Sequence, residues 1–292
     1  MYQAPRLHSL ALLAALGLAC GPSSSATPAG ELRVNIETGE PPTLDWNRAS
    51  DWASILVIDQ LMRGLTRLDA QRQPAPRLAE RWEALEGGRI WRFQLRRDGV
   101  WSDGVPLVAQ HFVDSWIRLL DPATGAVYAY YLFPIRGARA FNAGELRDPA
   151  AVGVRALDDA TLEVELEAPL GFFPALVTFA VTFPIRLDVI ARHGERWTEP
   201  GNLVSLGPYV LEAWRHDYRI ALRARSDGAE TLGMPERIVF HMVSDPATSL
   251  VLFEQGQLDL VRLPPLEIRR YIGTPAHRST LQLRGYYYGF DT

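Results

Sequence analysis

The chain has 292 residues, 47% of them hydrophobic and 22% charged, an ordinary composition for a folded protein with a sizeable core and a length suited to about two domains. Its 34 acidic and 30 basic groups leave a formal net charge of -4, so there is no basic footprint pointing to nucleic acid. Every basic residue is arginine, and the single cysteine, Cys20, leaves the rest of the chain without a disulfide or a thiol nucleophile.

The N-terminus reads MYQAPRLHSLALLAALGLAC. Its apolar run from Leu10 to Ala19 is too short to span a bilayer and has the length of a signal-peptide core. GPSSSATPAG follows, a small, polar stretch that reads as a flexible tether. A lone cysteine between the two resembles the lipobox of bacterial lipoproteins, although Gly17 stands where leucine is usual. That resemblance implies a signal peptide over 1–20, lipid on Cys20 and a tether over 21–30. Plain secretion and an uncleaved anchor are the alternatives.

ELRVNI opens the next segment with Leu32, Val34 and Ile36 in alternation, a short strand. ETGEPPTLDWN is a loop. A helix capped by Ser50 or Asp51 carries Ile55, Ile58, Leu61, Met62 and Leu65 at spacings of three and four, one stripe facing a core. RIWRFQLRR over 89–97 alternates around Trp91, Phe93 and Leu95, and predicts a half-buried strand. TLEVELE over 161–167 predicts another, with Leu162, Val164 and Leu166 inward and the glutamates outward. RIALRA over 219–224 and RIVFHMV over 237–243 are further strands. A helix then opens at Ser244 or Asp245, with Pro246 in its first turn and Gly256 as its stop. Strands interspersed with helices, without strict alternation, indicate a mixed α/β chain of more than one lobe.

Between these elements GVWSDGVPLVAQHFVDSW gathers Ser102, Asp103, His111 and Asp114, the residue types of a hydrolytic triad. Ser-Asp-Gly also makes a good turn, and a helix from Ala109 to Leu120 has one apolar face of Phe112, Val113, Trp116, Leu119 and Leu120. His111, Asp114, Ser115 and Arg118 fall away from that face, with Asp114 and Arg118 spaced for an i,i+4 ion pair. No Gly-x-Ser-x-Gly elbow presents a nucleophile, so this stretch reads as strand, turn and helix. The histidines show no zinc-ligand spacing, and Asp158-Asp159 reads as a turn. The ring clusters YAYYLFP (128–134) and GYYYGF (285–290) suit either a core or a pocket that grips ligands by area.

The run from RLAERW (77–82) through GVWSDGVP and FVDSWIR, with EPPTLDW, GPYVLEAW (207–214), LFEQGQLDL (252–260) and YYYGFDT (286–292), resembles the extracytoplasmic oligopeptide-binding proteins of ABC importers, the family-5 solute-binding proteins. The resemblance implies a periplasmic-binding-protein-like α/β fold (type II, cluster C), of which this is the N-terminal portion. It implies a discontinuous first domain of 31–62 plus 188–284, a second domain inserted at 63–187, and the start of an absent third domain at 285–292. It implies no enzymatic chemistry, no cofactor and no metal. Its partners would be an oligopeptide and a membrane permease, with a lipid anchor holding a monomer outside the cytoplasm. Ser50, Trp52 and Tyr128 are the implied pocket residues, with Arg262 and Tyr287 beside them near the crossover. Family members also take nickel, haem or sugars, and a remnant without ligand binding is a further reading. Val108 stands where the family has a capping threonine, a change expected to weaken that helix start by about 1 kcal/mol.

Overall fold

The computed structural model describes residues 30–226 and 233–279; Cys20, residues 21–29 of the tether, Tyr287 and 285–292 lie outside them. Strand β1 (Glu31–Asn35) forms where its alternation predicts it, and its partners come from the far end of the described chain. The short pair β2 (Thr66–Leu68) and β3 (Pro74–Pro76) and the sheet of β4 (Ala79–Leu85), β5 (Ile90–Leu95), β6 (Val154–Asp158) and β7 (Thr161–Glu165) intervene. Then come β8 (Tyr209–Arg215), β9 (Arg219–Ala224) and β10 (Arg237–His241). The sheet holding β1 has the order β1-β10-β9-β8, with β1 parallel to β10 and the other pairs antiparallel. The second large sheet is wholly antiparallel, in the order β4-β5-β7-β6.

In β5, Trp91, Phe93 and Leu95 are buried as the alternation requires. In β7 the expectation of outward glutamates fails at Glu163, which is only 2% exposed. Arg92 and Arg155 stand opposite it on the two neighbouring strands. Both guanidinium groups donate to its carboxylate, Arg92 at 2.6 Å, and neutralise the charge there.

Helix α1 (Trp52–Leu61) starts at Asp51, whose carboxylate accepts from the Ser54 amide at 2.9 Å. Its core face is Ala53, Ser54, Val57, Ile58 and Leu61. Ile55, expected in that stripe, is half-buried and packs against the same core. The helix leaves the large apolar side chain of Trp52 exposed. Its C-terminal end is held by Gly207, whose amide donates to the Leu61 carbonyl at 2.7 Å. A β-carbon at Gly207 would lie 2.6 Å from the Gln60 carbonyl oxygen and 2.7 Å from the Leu61 carbonyl carbon. Gly207→Ala is accordingly expected to destabilise by about 1–3 kcal/mol through overpacking against rigid backbone, read as a lower urea midpoint with an unchanged slope.

Helix α2 (Gln110–Leu120) buries Phe112, Trp116, Leu119 and Leu120 as expected, but it also buries Ser115 completely. Arg118 does not pair with Asp114, which accepts from Gln110 at 2.7 Å. Instead its guanidinium donates to both Asp45 carboxylate oxygens, at 2.9 and 2.6 Å, and to Asn47 Oδ1 at 2.9 Å. Asn47 Nδ2 in turn donates to Ser115 Oγ and to the Val181 carbonyl, and Ser115 Oγ donates to the Phe183 carbonyl. The TLDWN loop and the FVDSWIR helix are thus joined by one buried polar network. At the start of α2 no side chain caps from Ala109; the Val108 amide donates to His111 Nδ1 at 3.2 Å.

Helices α3 (Ala138–Asn142), α4 (Phe173–Leu176), α5 (Leu187–His193), α6 (Pro246–Glu254) and α7 (Ile268–Tyr271) complete the fold. Asp245 caps α6 through the Thr248 amide at 2.7 Å, as the sequence indicates. Phe93, Phe173, Trp116 and Phe112 form a chain of ring contacts 6.2 to 6.5 Å apart, which packs the antiparallel sheet against α2 and α4. Among the described residues no helix is long and apolar enough to cross a membrane.

The turn between β8 and β9 is pinned to the loop after β1. Glu40 meets His216 Nδ1 and accepts from the Asp217 amide. The hydrogen bond to Glu40, and then the carboxylate charge, raise the His216 imidazole above its ordinary 6.5. A raised histidine contributes stability that is fully present below pH 6.5 and disappears as pH climbs through the folded-state value. The difference in melting temperature between the parent and His216→Gln should therefore be largest near pH 5.5 and shrink above neutrality, measured by thermal scans across that range.

Candidate ligand-binding groove

The residues that suggest a hydrolytic triad are each engaged elsewhere. Ser102 Oγ accepts from the Ser205 amide at 2.9 Å, while its own amide donates to the Ser205 carbonyl. Asp103 pairs with Arg186 at 3.0 Å, and Arg186 is shared with Asp188. His111 Nδ1 accepts from the Trp101 indole at 3.2 Å as well as from Val108. Burial and then the nearby Arg186 charge lower the His111 imidazole below its ordinary value. These contacts tie the strand-turn-helix unit to the Ser205 and Arg186 segments. Asp158 likewise serves its turn, accepting from the Ala160 amide and the Thr161 hydroxyl.

A groove elsewhere on the surface is lined by two of the residues suggested by the family resemblance, Trp52 and Arg262. Beyond β10, residues 259–262 run back alongside β1, where the Asp259 and Leu260 amides donate to the Arg33 carbonyl. The Asn35 amide donates to the Leu260 carbonyl at 3.0 Å, making a parallel bridge at the sheet edge. The Arg33 guanidinium clamps this segment through both Asp259 carboxylate oxygens at 3.0 Å. Between this edge and the outward face of α1 lies a groove of about 460 Å³. Val34, Asn35, Leu260, Val261 and Arg262 form its sheet side, Trp52 and Leu56 its helix side, and Glu37 and Thr38 a third part of the lining.

Trp52 leaves 52% of its surface exposed here, although it sits at the first position of an otherwise well-packed helix. Large exposed rings beside other apolar side chains characterise surfaces that await a partner or ligand. Arg262 reaches toward Glu37 across 3.6 Å. Tyr128 lies at the same end of α1, its hydroxyl donating to the Ser50 carbonyl at 3.2 Å. Its ring packs edge-on to Tyr130, Tyr131 and Phe179 at 5.2 to 5.9 Å. The YAYYLFP rings thus form a surface cluster, with Tyr130 largely exposed.

Ser50, Trp52 and Tyr128 therefore meet around the start of α1, and Arg262 shares the groove with Trp52. Tyr287 lies outside the described residues. The sequence reading missed Glu37, Leu56 and Val261. The available signal was the Trp52–Leu56 pair, two large apolar side chains one helical turn apart and outside the fully buried residues of α1.

The chain belongs to the bacterial extracellular solute-binding proteins of family 5, whose "Family 5 Middle" profile matches residues 73–292. It is 33% identical over 275 residues to the "Probable deoxycholate-binding periplasmic protein YgiS" of Escherichia coli K12, covering 92% of this chain and 51% of that one. With the oligopeptide-binding protein OppA of Bacillus subtilis it shares 37% identity over 239 residues, 80% of this chain and 43% of the relative. Among solved structures it superposes on the substrate-binding domain of an oligopeptide ABC transporter from Bacillus anthracis with a TM-score of 0.80 and 33% identity. That match covers 85% of this chain and 48% of the other. The chain spans about half the length of the curated relatives it matches. The fold is the mixed α/β architecture of substrate-binding proteins, as the resemblance implied.

Proposed function

We propose that this chain forms a ligand-facing wall of an extracytoplasmic oligopeptide receptor that supplies an ABC importer and performs no chemistry on its ligand. The observation that carries this reading is the groove between Trp52 on α1 and the strand-like edge at Leu260–Arg262. Rings and aliphatic groups there offer area to varied side chains, while the nearby sheet edge suits backbone pairing with an extended peptide. Ser50 and Tyr128 are assigned to the wall next to Trp52, with Arg262 and Tyr287 on the crossover side. The sheet β1-β10-β9-β8 would be the centre of the discontinuous domain 31–62 plus 188–284, and the antiparallel sheet that of the insertion 63–187. Cys20 would carry the lipid that keeps the receptor, as a monomer, at the membrane beside its permease.

Calorimetric titration with mixed di- to pentapeptide pools tests the assignment. Binding is expected, and Trp52→Ala should weaken it by about tenfold, the loss of one well-placed aromatic contact. A protein that ignores every pool while binding deoxycholate, the ligand in one relative's name, would overturn the peptide assignment.

A further inference from the structure

We propose that the groove selects a cationic head on an aliphatic stem, the lysine or arginine side chain of a bound peptide, and that Glu37 reads it. This deepens the peptide-receptor reading and rests on it. The Glu37 side chain is 20% exposed and lines the groove. Among the described residues its one ion-pair partner is Arg262, at 3.6 Å, too far for a hydrogen bond, and no other hydrogen bond reaches its carboxylate. Among the described residues the groove therefore offers a carboxylate whose only ion-pair partner is loosely placed.

Arg262 is itself a cation on an aliphatic stem, and it lines the same groove as the acceptor it faces. At 74% side-chain exposure it is weakly held, so a ligand can displace it into solvent at little cost. Trp52, Leu56, Leu260 and Val261 are positioned to take the displacing stem, as apolar surfaces take the methylenes of lysine and arginine. The exposed Trp52 indole adds attraction for a cation. An anionic side chain would have to draw Arg262 from Glu37 and then lie against the bared carboxylate. The charge pattern therefore favours basic side chains over acidic ones.

The test compares the tripeptides Ala-Lys-Ala, Ala-norleucine-Ala, Ala-Glu-Ala and N-acetyl-Ala-Lys-Ala by calorimetry on the full chain, Glu37→Gln and Arg262→Ala. The lysine peptide should bind about tenfold more tightly than the norleucine peptide, and acetylation should leave that preference in place. Glu37→Gln should erase the preference at an unchanged melting temperature, and Arg262→Ala should tighten the lysine peptide several-fold. Equal binding of the lysine, norleucine and glutamate peptides, a preference that survives Glu37→Gln, or one lost on acetylation would overturn the proposal. If no tripeptide binds, the receptor reading fails, and pentylammonium against pentanol decides the groove separately. Trp52-dependent fluorescence quenching by pentylammonium alone, abolished in Glu37→Gln, upholds the selectivity; equal or absent quenching refutes it.

Discussion

Replacing Asp45 with alanine is expected to cost about 3–5 kcal/mol, the penalty for stranding one member of a buried, hydrogen-bonded ion pair. Asp45 is 4% exposed and receives two bonds from Arg118, which also reaches Asn47. Without the carboxylate, the half-buried Arg118 guanidinium keeps its charge and loses its main acceptor. The damage should spread along the network, because Asn47 links the same loop to Ser115 and the Val181 carbonyl. Urea denaturation of the parent, Asp45→Ala and the double variant Asp45→Ala/Arg118→Met measures this. The double variant should recover most of the loss, since an apolar pair removes the stranded charge. A loss below about 1 kcal/mol would place the pair with surface ion pairs and contradict the assignment.

Trp116→Ala is expected to cost about 3–5 kcal/mol, as for other large aromatic truncations in a core. Trp116 is fully buried, touches Phe112 and Phe173 edge-on, and donates from its indole to the Thr182 carbonyl at 2.7 Å. Truncation removes both sets of ring contacts and leaves that carbonyl without its donor. Trp116→Phe keeps much of the volume but not the donor, so it should fall between the parent and alanine in chemical denaturation. Equal losses for the two would mean that the hydrogen bond dominates the volume.

The sequence displayed the fold wherever one face of an element is apolar and the other polar. Trp91, Phe93 and Leu95 announced β5, and the WSDG turn followed by Phe112 and Trp116 announced α2. Other elements were hidden for physical reasons. β4 has no continuous buried stripe, and β8 carries a register shift between Leu211 and Ala213 that breaks its alternation. Glu163 defied the polar-out rule because its neutralising arginines lie on separate strands, which only the register brings opposite it. Arg118 has an attractive local partner in Asp114, yet the stronger bidentate partner is on a loop far away in sequence. For the groove, family resemblance pointed to Trp52 and Arg262. The place of Glu37 in the groove was illegible because the groove depends on the 259–262 segment folding back beside β1.

On the proposed reading, ligand enters between Trp52 and the Leu260–Arg262 edge. Nuclear magnetic resonance of the tryptophan indole protons tests it most directly, because the indoles report separately on the groove and the core. On adding a peptide pool, the Trp52 indole signal should shift in a saturable way, while those of Trp101 and Trp116, hydrogen-bonded within the core, stay in place. Saturable binding that leaves Trp52 unmoved, or that shifts the core indoles instead, would place the ligand outside this groove.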